Sequence, residues 1–352
     1  MIKYLGSKRL LVPVLGRIFA TSGATTGLDL FTGTTRVAQE MCRQGIATTA
    51  VDIASYSEVF ARTYVELDAQ ALTPADHAEL KQALARLNAL PGVRGYITRT
   101  FSEAARYFQR ANAMRIDAVR QAIETDYAGT WLYPVLLTSL IEAADAVDST
   151  VGVQMAYLKE WAPRSFRPLT LKAPPLVPGT GRALRADVLD VVDSLDPVDV
   201  AYLDPPYNQH RYYTNYHVWE TLVRWDAPEY YGVACKRLDC RDEATKSVFN
   251  KRRQMPQALA ELIATVRAEV LILSFSNEGF VPLGELREMC QVRGGAVEVL
   301  SFASQRYNGA RIGVFNPHGQ KVSRISHTRN TEYLLVCGEP QRVEAMTRNL
   351  QV

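Results

Sequence analysis

The sequence predicts an α/β protein built on an open sheet of the nucleotide-binding kind, and three observations predict it. Residues 27–52 read as strand, turn, helix, strand: Gly27-Leu28-Asp29-Leu30-Phe31, a Thr/Gly turn, an apolar-periodic helix from Arg36 to residue 44, and a strand over 47–51 ending at Asp52. The run Val198-Asp199-Val200-Ala201-Tyr202-Leu203 reads as a buried strand and stops at Asp204-Pro205-Pro206-Tyr207. Residues 270–275 form a strong apolar strand, with a helix following near 283–290. Ligands bind such sheets at the carboxyl ends of the strands, where Asp29, Asp52 and Asp204 all fall.

The remaining elements follow in order. Lys3-Tyr4-Leu5-Gly6-Ser7-Lys8-Arg9 leads into an apolar-periodic helix over 10–19. From residue 66 to 173 the strand signal disappears, and segments 74–90, 101–124 and 131–146 carry helical spacing. Residues 66–181 are therefore expected to be a mainly helical insertion between 1–65 and 182–352, which together form the principal domain. After the link Ala173-Pro174-Pro175, strands return near 182–185 and over 198–203. A loop-rich stretch over 208–253 precedes a further helix, and strands over 296–302 and 332–337 close the chain. The segment between those last strands, 304–330, carries Arg306, Arg311, Lys321, Arg324 and Arg329 with no Asp or Glu, and is expected to be a long hairpin or loop.

Composition excludes several classes. At 352 residues, 47% hydrophobic and 22% charged, the chain can bury an ordinary globular core. Its apolar runs are too short to cross a bilayer and no signal segment opens it, so a cytoplasmic protein is expected. Five scattered cysteines fit reduced thiols, and Cys235 and Cys240 bracket Lys-Arg-Leu-Asp at a spacing unlike a zinc pair, so no metal is expected. His210 and His217, in one polar segment, read as surface or substrate-facing residues. The net charge of +3 says little, but the acid-free segment and a second cluster, Lys246, Lys251, Arg252 and Arg253, favour phosphate contacts.

The chemistry lies in the strand ends. Two prolines fix φ and remove two N–H donors, leaving the Pro205 carbonyl free to face a cleft beside Asp204. Two acceptors so placed suit an exocyclic amine, and Tyr207 can stack on the flat ring that bears it. Alone, the tetrapeptide is equally a strand-terminating turn. Asp29 and Asp52 add two carboxylates about twenty residues apart, the nucleoside-binding spacing, with Gly33 permitting close backbone approach and Asp52 able to bond a ribose hydroxyl. Thr35 stands where a second glycine is expected. A dinucleotide therefore fits poorly, and an adenosine with a charged sulfonium and an amino-acid tail fits well, Asp29 lying near the tail's ammonium. Asp187, just past a strand, is a candidate for the adenine amine.

Taken in order, Lys3-Tyr4-Leu5-Gly6-Ser7-Lys8, Asp29-Leu30-Phe31-Thr32-Gly33, Asp52, Asp187-Val188 and Asp204-Pro205-Pro206-Tyr207 resemble the DNA adenine-N6 methyltransferases of the Dam-like class. Asn215-Tyr216-His217, Glu220-Thr221-Leu222, Ser274-Phe275-Ser276-Asn277 and Asn330-Thr331-Glu332-Tyr333-Leu334 extend the resemblance over most of the chain. The resemblance implies a Rossmann-like, S-adenosylmethionine-dependent methyltransferase with a seven-stranded mixed sheet whose last strand is antiparallel. It implies that Asp204 to Tyr207 are catalytic, and that Tyr4, Lys8, Phe31 and Val188 join Asp29, Gly33, Asp52 and Asp187 around the cofactor. It further implies double-stranded DNA as substrate, an adenine flipped out of the stack, target recognition within 66–182, and a cognate restriction endonuclease as the partner of such an enzyme. Gln209, His210, Arg211 and Tyr212 are the candidates near the flipped base, and Lys251, Arg252, Arg306 and Arg311 the candidates for phosphate. Cytosine-N4 methylation, whose motif more often opens with Ser, and a non-catalytic DNA-binding protein on the same scaffold are the alternatives. A dinucleotide-linked oxidoreductase is disfavoured by the glycine pattern.

Overall fold

A computed structural model describes residues 2–305, 329–348 and 350. Among the described residues, seven strands form one sheet in the order β3-β2-β1-β4-β7-β9-β8. They are β1 Thr26–Leu30, β2 Ala47–Asp52, β3 Gly181–Arg185, β4 Val198–Leu203, β7 Ala268–Ser276, β8 Ala296–Gln305 and β9 Arg329–Gly338, while β5 Tyr230–Tyr231 and β6 Lys236–Arg237 pair separately. Neighbours are parallel except that β9 runs antiparallel to both β7 and β8, the mixed sheet expected of the chain.

Both sheet faces are buried, which is why the central strands read as unbroken apolar runs. Val200 and Tyr202 of β4 join Val270, Ile272 and Leu334 beneath Leu15, Ile18 and Phe19 of the helix Val12–Ser22. Ala201 and Leu203 join Leu271 and Leu273 on the opposite face, beneath Leu259, Leu262 and Leu286 of the helices Met255–Thr265 and Leu283–Gln291. β1 pairs with β4, Asp29 opposite Tyr202, and leads through the helix Arg36–Arg43 to β2, while β4 is flanked on its other side by β7. The strand order reverses between β1 and β4, and a crevice opens beyond their carboxyl ends.

Residues 66–181 carry the helices Pro74–Ala89, Arg110–Tyr127 and Leu132–Val147. The first is fixed at its start by a capping box: Thr73 Oγ1 accepts from Asp76 N–H at 3.2 Å, and the Asp76 carboxylate accepts from Thr73 N–H at 2.8 Å. These helices share one apolar cluster with Tyr56 and Phe60 of the helix Ser55–Ala61 and with Trp219 and Leu222 of the helix His217–Arg224. Packing on these elements sets the helices at one end of the crevice.

Two expectations need correction. The helix expected over 101–124 is interrupted: residues 101–104 close the helical turn Arg99–Ala104, the chain extends at Ala105, the N–H groups of Tyr107 and Phe108 donate to the Phe101 carbonyl, and the long helix starts at Arg110. The loop-rich stretch 208–253 also carries the helix His217–Arg224, whose residues 217–222 are buried. His217 is accordingly a core residue, 0% exposed, with Nε2 2.9 Å from the Gln154 carbonyl, and burial lowers its pKa to about 3. A polar segment that closes a shared core is indistinguishable in sequence from an exposed one. The loop expected between β8 and β9 falls on residues 306–328, outside the described residues.

Candidate active site

A cavity of about 450 Å³ lies at the carboxyl ends of β1, β2 and β4. All eight residues expected around a cofactor line it: Tyr4, Lys8, Asp29, Phe31, Gly33, Asp52, Asp187 and Val188. Asp204 and Pro206 reach the same wall, whereas Pro205 is buried and Tyr207 packs its ring against Phe275 at 5.5 Å, neither being part of the lining. Arg211 and Tyr212 line the mouth, and Gln209 and His210 are exposed beside them. Lys251 and Arg252 are exposed further along, while Arg306 and Arg311 fall outside the described residues.

The turn after β1 bends sharply because Phe31, Gly33 and Thr35 all take positive φ, at 94°, 53° and 60°. Thr35 thus adopts the left-handed conformation a glycine would take without strain, at a cost of roughly 1–2 kcal/mol, and Gln39 Nε2 holds its hydroxyl at 2.9 Å. The Gly33 N–H donates to Asp52 Oδ2 at 2.8 Å, locking the turn to the end of β2. Asp52 Oδ1 accepts from Ala54 N–H at 2.9 Å, and burial still raises its carboxyl above the ordinary range.

Asp29 is 1% exposed. Its Oδ2 accepts from the Thr32 hydroxyl at 2.7 Å and from Ala38 N–H at 3.0 Å, and its Oδ1 is buried without a hydrogen-bond partner. Burial raises its carboxyl to about 7 against those two bonds. An unsatisfied buried acceptor in a cavity wall is costly unless a ligand donor meets it, and a cationic donor repays most.

The opening segment covers this turn. The Tyr4 ring stacks on Tyr216 at 4.6 Å, and Tyr216 on Trp219 at 4.6 Å. Lys3 Nζ bridges Asp145 at 3.0 Å and Asp148 at 3.3 Å, tying the segment to the insertion. Asp187 caps the helix Val188–Val191 by accepting Leu189 N–H at 3.0 Å and also faces the cavity.

Lys8 lies further in, 3.0 Å from Asp204 Oδ1 and 3.3 Å from Glu332 Oε2. Burial alone would lower its pKa, but the two carboxylates raise it well above the ordinary value. Burial raises Asp204 to about 6, against the pull of Lys8. Sequence reasoning quoted Glu332 within a motif but gave it no role. Glu220 was passed over likewise: it is buried at the cavity wall and accepts both the hydroxyl and N–H of Ser55, at 2.6 and 3.1 Å. The second basic cluster is partly compensated, since Lys246 and Lys251 both pair with Glu243.

An antiparallel strand closing an otherwise parallel sheet, with acidic strand ends around one crevice, defines a Rossmann-like methyltransferase. The chain belongs to the D12 class N6 adenine-specific DNA methyltransferase family, whose model matches residues 4–259. It is similar to Modification methylase StsI of Streptococcus sanguinis, 28% identical over 328 residues, covering 88% of this chain and 50% of that protein. It is similar also to Type II methyltransferase M.NlaIII of Neisseria lactamica, 29% identical over 289 residues, covering 79% of this chain and 83% of that protein. Type II methyltransferase M.CviAII of Paramecium bursaria Chlorella virus 1 is 30% identical over 198 residues, 55% of this chain and 59% of that protein. The chain thus spans about half the length of the StsI methylase and most of M.NlaIII.

Proposed function

We propose that this protein methylates N6 of an adenine flipped out of double-stranded DNA, with S-adenosylmethionine as donor. The observation that carries the reading is one cavity lined both by Asp29, whose Oδ1 has no hydrogen-bond partner, and by the Asp204 carboxylate, on the adjacent ends of β1 and β4. S-adenosylmethionine supplies an electrophilic methyl group together with its own leaving group. The Asp29 carboxylate would hold the ammonium of its amino-acid tail, directly or through water, Asp52 would hold the ribose, and Phe31, Asp187 and Val188 would enclose the adenine, with Tyr4 and Lys8 completing the wall. Its pairing of an orphaned acceptor with a glycine turn supports the fit.

Asp204 and the Pro205 carbonyl accept the two N–H groups of the target amine, which leaves the nitrogen lone pair aimed at the methyl carbon. Bond formation makes that nitrogen cationic, and it then sheds a proton to Asp204 or to solvent. Tyr207 offers the stacking face for the flipped base, which requires its ring to turn toward the cavity. Gln209, His210, Arg211 and Tyr212 contact the surroundings of the flipped base, and Lys251, Arg252, Arg306 and Arg311 contact phosphate. Residues 66–181 form the target-recognition insertion on a catalytic domain of 1–65 and 182–352. The names of the relatives, modification methylase and type II methyltransferase, support a role beside a cognate endonuclease, and the cytoplasm is the compartment proposed for it.

The test is nucleoside mass spectrometry of unmethylated DNA incubated with S-adenosylmethionine and either the parent protein or Asp204→Ala. N6-methyladenine from the parent alone, with cofactor binding retained by the variant, is the expected result. Equal turnover by the variant, or N4-methylcytosine as product, overturns the reading.

A further inference from the structure

The polar groups around Asp204 are arranged asymmetrically. Its Oδ1 is sealed from solvent and faces Lys8 Nζ at 3.0 Å, yet the side chain as a whole keeps 18% exposure and lines the cavity. The oxygen left to meet the cavity is therefore Oδ2. Lys8, 5% exposed, is in turn held by Glu332 Oε2 at 3.3 Å, from the first half of β9, where Glu332 lies opposite Ser276 of β7. Among the described residues, the groups facing Asp204 are Lys8 from the opening turn, Glu332 from β9, Asp29 from β1, Tyr202 within β4, and Tyr207 and Tyr212 from the chain that follows. Among these, Lys8 is the one cation, and two carboxylates share it.

Resting on the function proposed above, we propose that Glu332 is a positioning residue for methyl transfer: it shares the Lys8 ammonium with Asp204, so that Lys8 clamps the sealed oxygen without neutralising the carboxylate and leaves the other oxygen to accept the target amine. Charge arithmetic gives the reason. With Glu332 present the trio carries a net negative charge, and Asp204 keeps its strength as an acceptor. Without it, Lys8 and Asp204 form a closed ion pair, and the lysine is free to swing onto whichever oxygen suits it. Without Lys8, two carboxylates face one another in a buried site and one of them takes up a proton.

The opposed signs supply the test. In the full-length chain, kcat and KM are measured for the parent, Glu332→Gln and Lys8→Met from about pH 5 to 9, the range that spans a perturbed carboxylate. Glu332→Gln is expected to lower kcat roughly 10- to 100-fold, to leave KM for S-adenosylmethionine near the parent value, and to move the acidic limb to lower pH. Lys8→Met is expected to move that limb to higher pH. A residue with only a structural role would not split the two variants in this way. Should Glu332→Gln fail to fold, Glu332→Asp, which withdraws the carboxylate by one methylene, carries the same test with a smaller fall in kcat and a smaller downward movement. Parent-like kcat, or an acidic limb that stays put or moves the same way in both variants, overturns the assignment. A parent that makes no N6-methyladenine overturns the function instead, so the two failures are distinguishable.

Discussion

The ring of Tyr4 rests against Gly33: a β-carbon built on Gly33 would lie 3.1 Å from Tyr4 Cε1 and 3.2 Å from its hydroxyl. The contact joins the two segments that enclose the cofactor side of the cavity, and Gly33 N–H at the same time donates to Asp52.

Gly33→Ala should therefore strain the turn, which needs φ near 53°, and displace Tyr4 from its stack on Tyr216. The expected outcome is a loss of affinity for S-adenosylmethionine on the order of ten-fold, 1.4 kcal/mol, measured by titration calorimetry. Affinity equal to the parent's would show that Tyr4 does not cover the cofactor.

The parent's own pH profile is a second check. Burial raises the Asp204 carboxyl to about 6, with Lys8 opposing and Glu332 adding to the rise. The acceptor is the ionised form, so kcat should climb with pH through about 6 and level off above it. A flat rate from pH 5 to 8 would remove Asp204 ionisation from the mechanism.

Asp29 gives a stability signature. Its carboxyl is raised by burial from 3.8 to about 7, so its contribution to stability is fully present below the unfolded value and is lost as pH rises through about 7. Asp29→Asn carries no such loss, and its Tm should gain on the parent's between pH 5 and 8. Parallel Tm curves would contradict the burial argument. The same variant should bind S-adenosylmethionine weakly, since the neutral amide cannot pair with an ammonium.

Arg237 braces the cavity from behind. Its guanidinium, 1% exposed, bonds Asp226 and Asp239 at 2.7 Å, and Asp239 accepts from Tyr213 and Arg224, which line the mouth. Arg237→Ala removes the buried cation and leaves Arg224 as the remaining partner of both carboxylates, so it should cost about 2 kcal/mol, read from urea denaturation. Its effect on DNA affinity should exceed that on cofactor affinity, because the mouth loosens and the Asp29 turn does not.

Much of this site was legible in sequence because its turns follow strands that advertise themselves. Val200 and Tyr202 enter one buried face and Ala201 and Leu203 the other, so the apolar run and its acidic end could be read directly. The strand ends in turn place Asp29, Asp52 and Asp204 near one another. Composition and spacing also set the helical character of residues 66–181, since helical periodicity is a local property.

Tertiary structure alone decided which groups touch. Lys8 and Glu332 stand 324 positions apart, and nothing local links them. His217 looks polar in its segment, yet it enters a core assembled from the insertion, the helix Ser55–Ala61 and the chain after Tyr207. Tyr207 reads as a free stacking ring but packs on Phe275 of β7. Periodicity reports the faces of an element, whereas partnership across the sheet depends on strand order, and order is set by how both faces are covered. The sequence by itself determined the elements and the acids at their ends; the packing of those elements determined which oxygen of Asp204 is left to do chemistry.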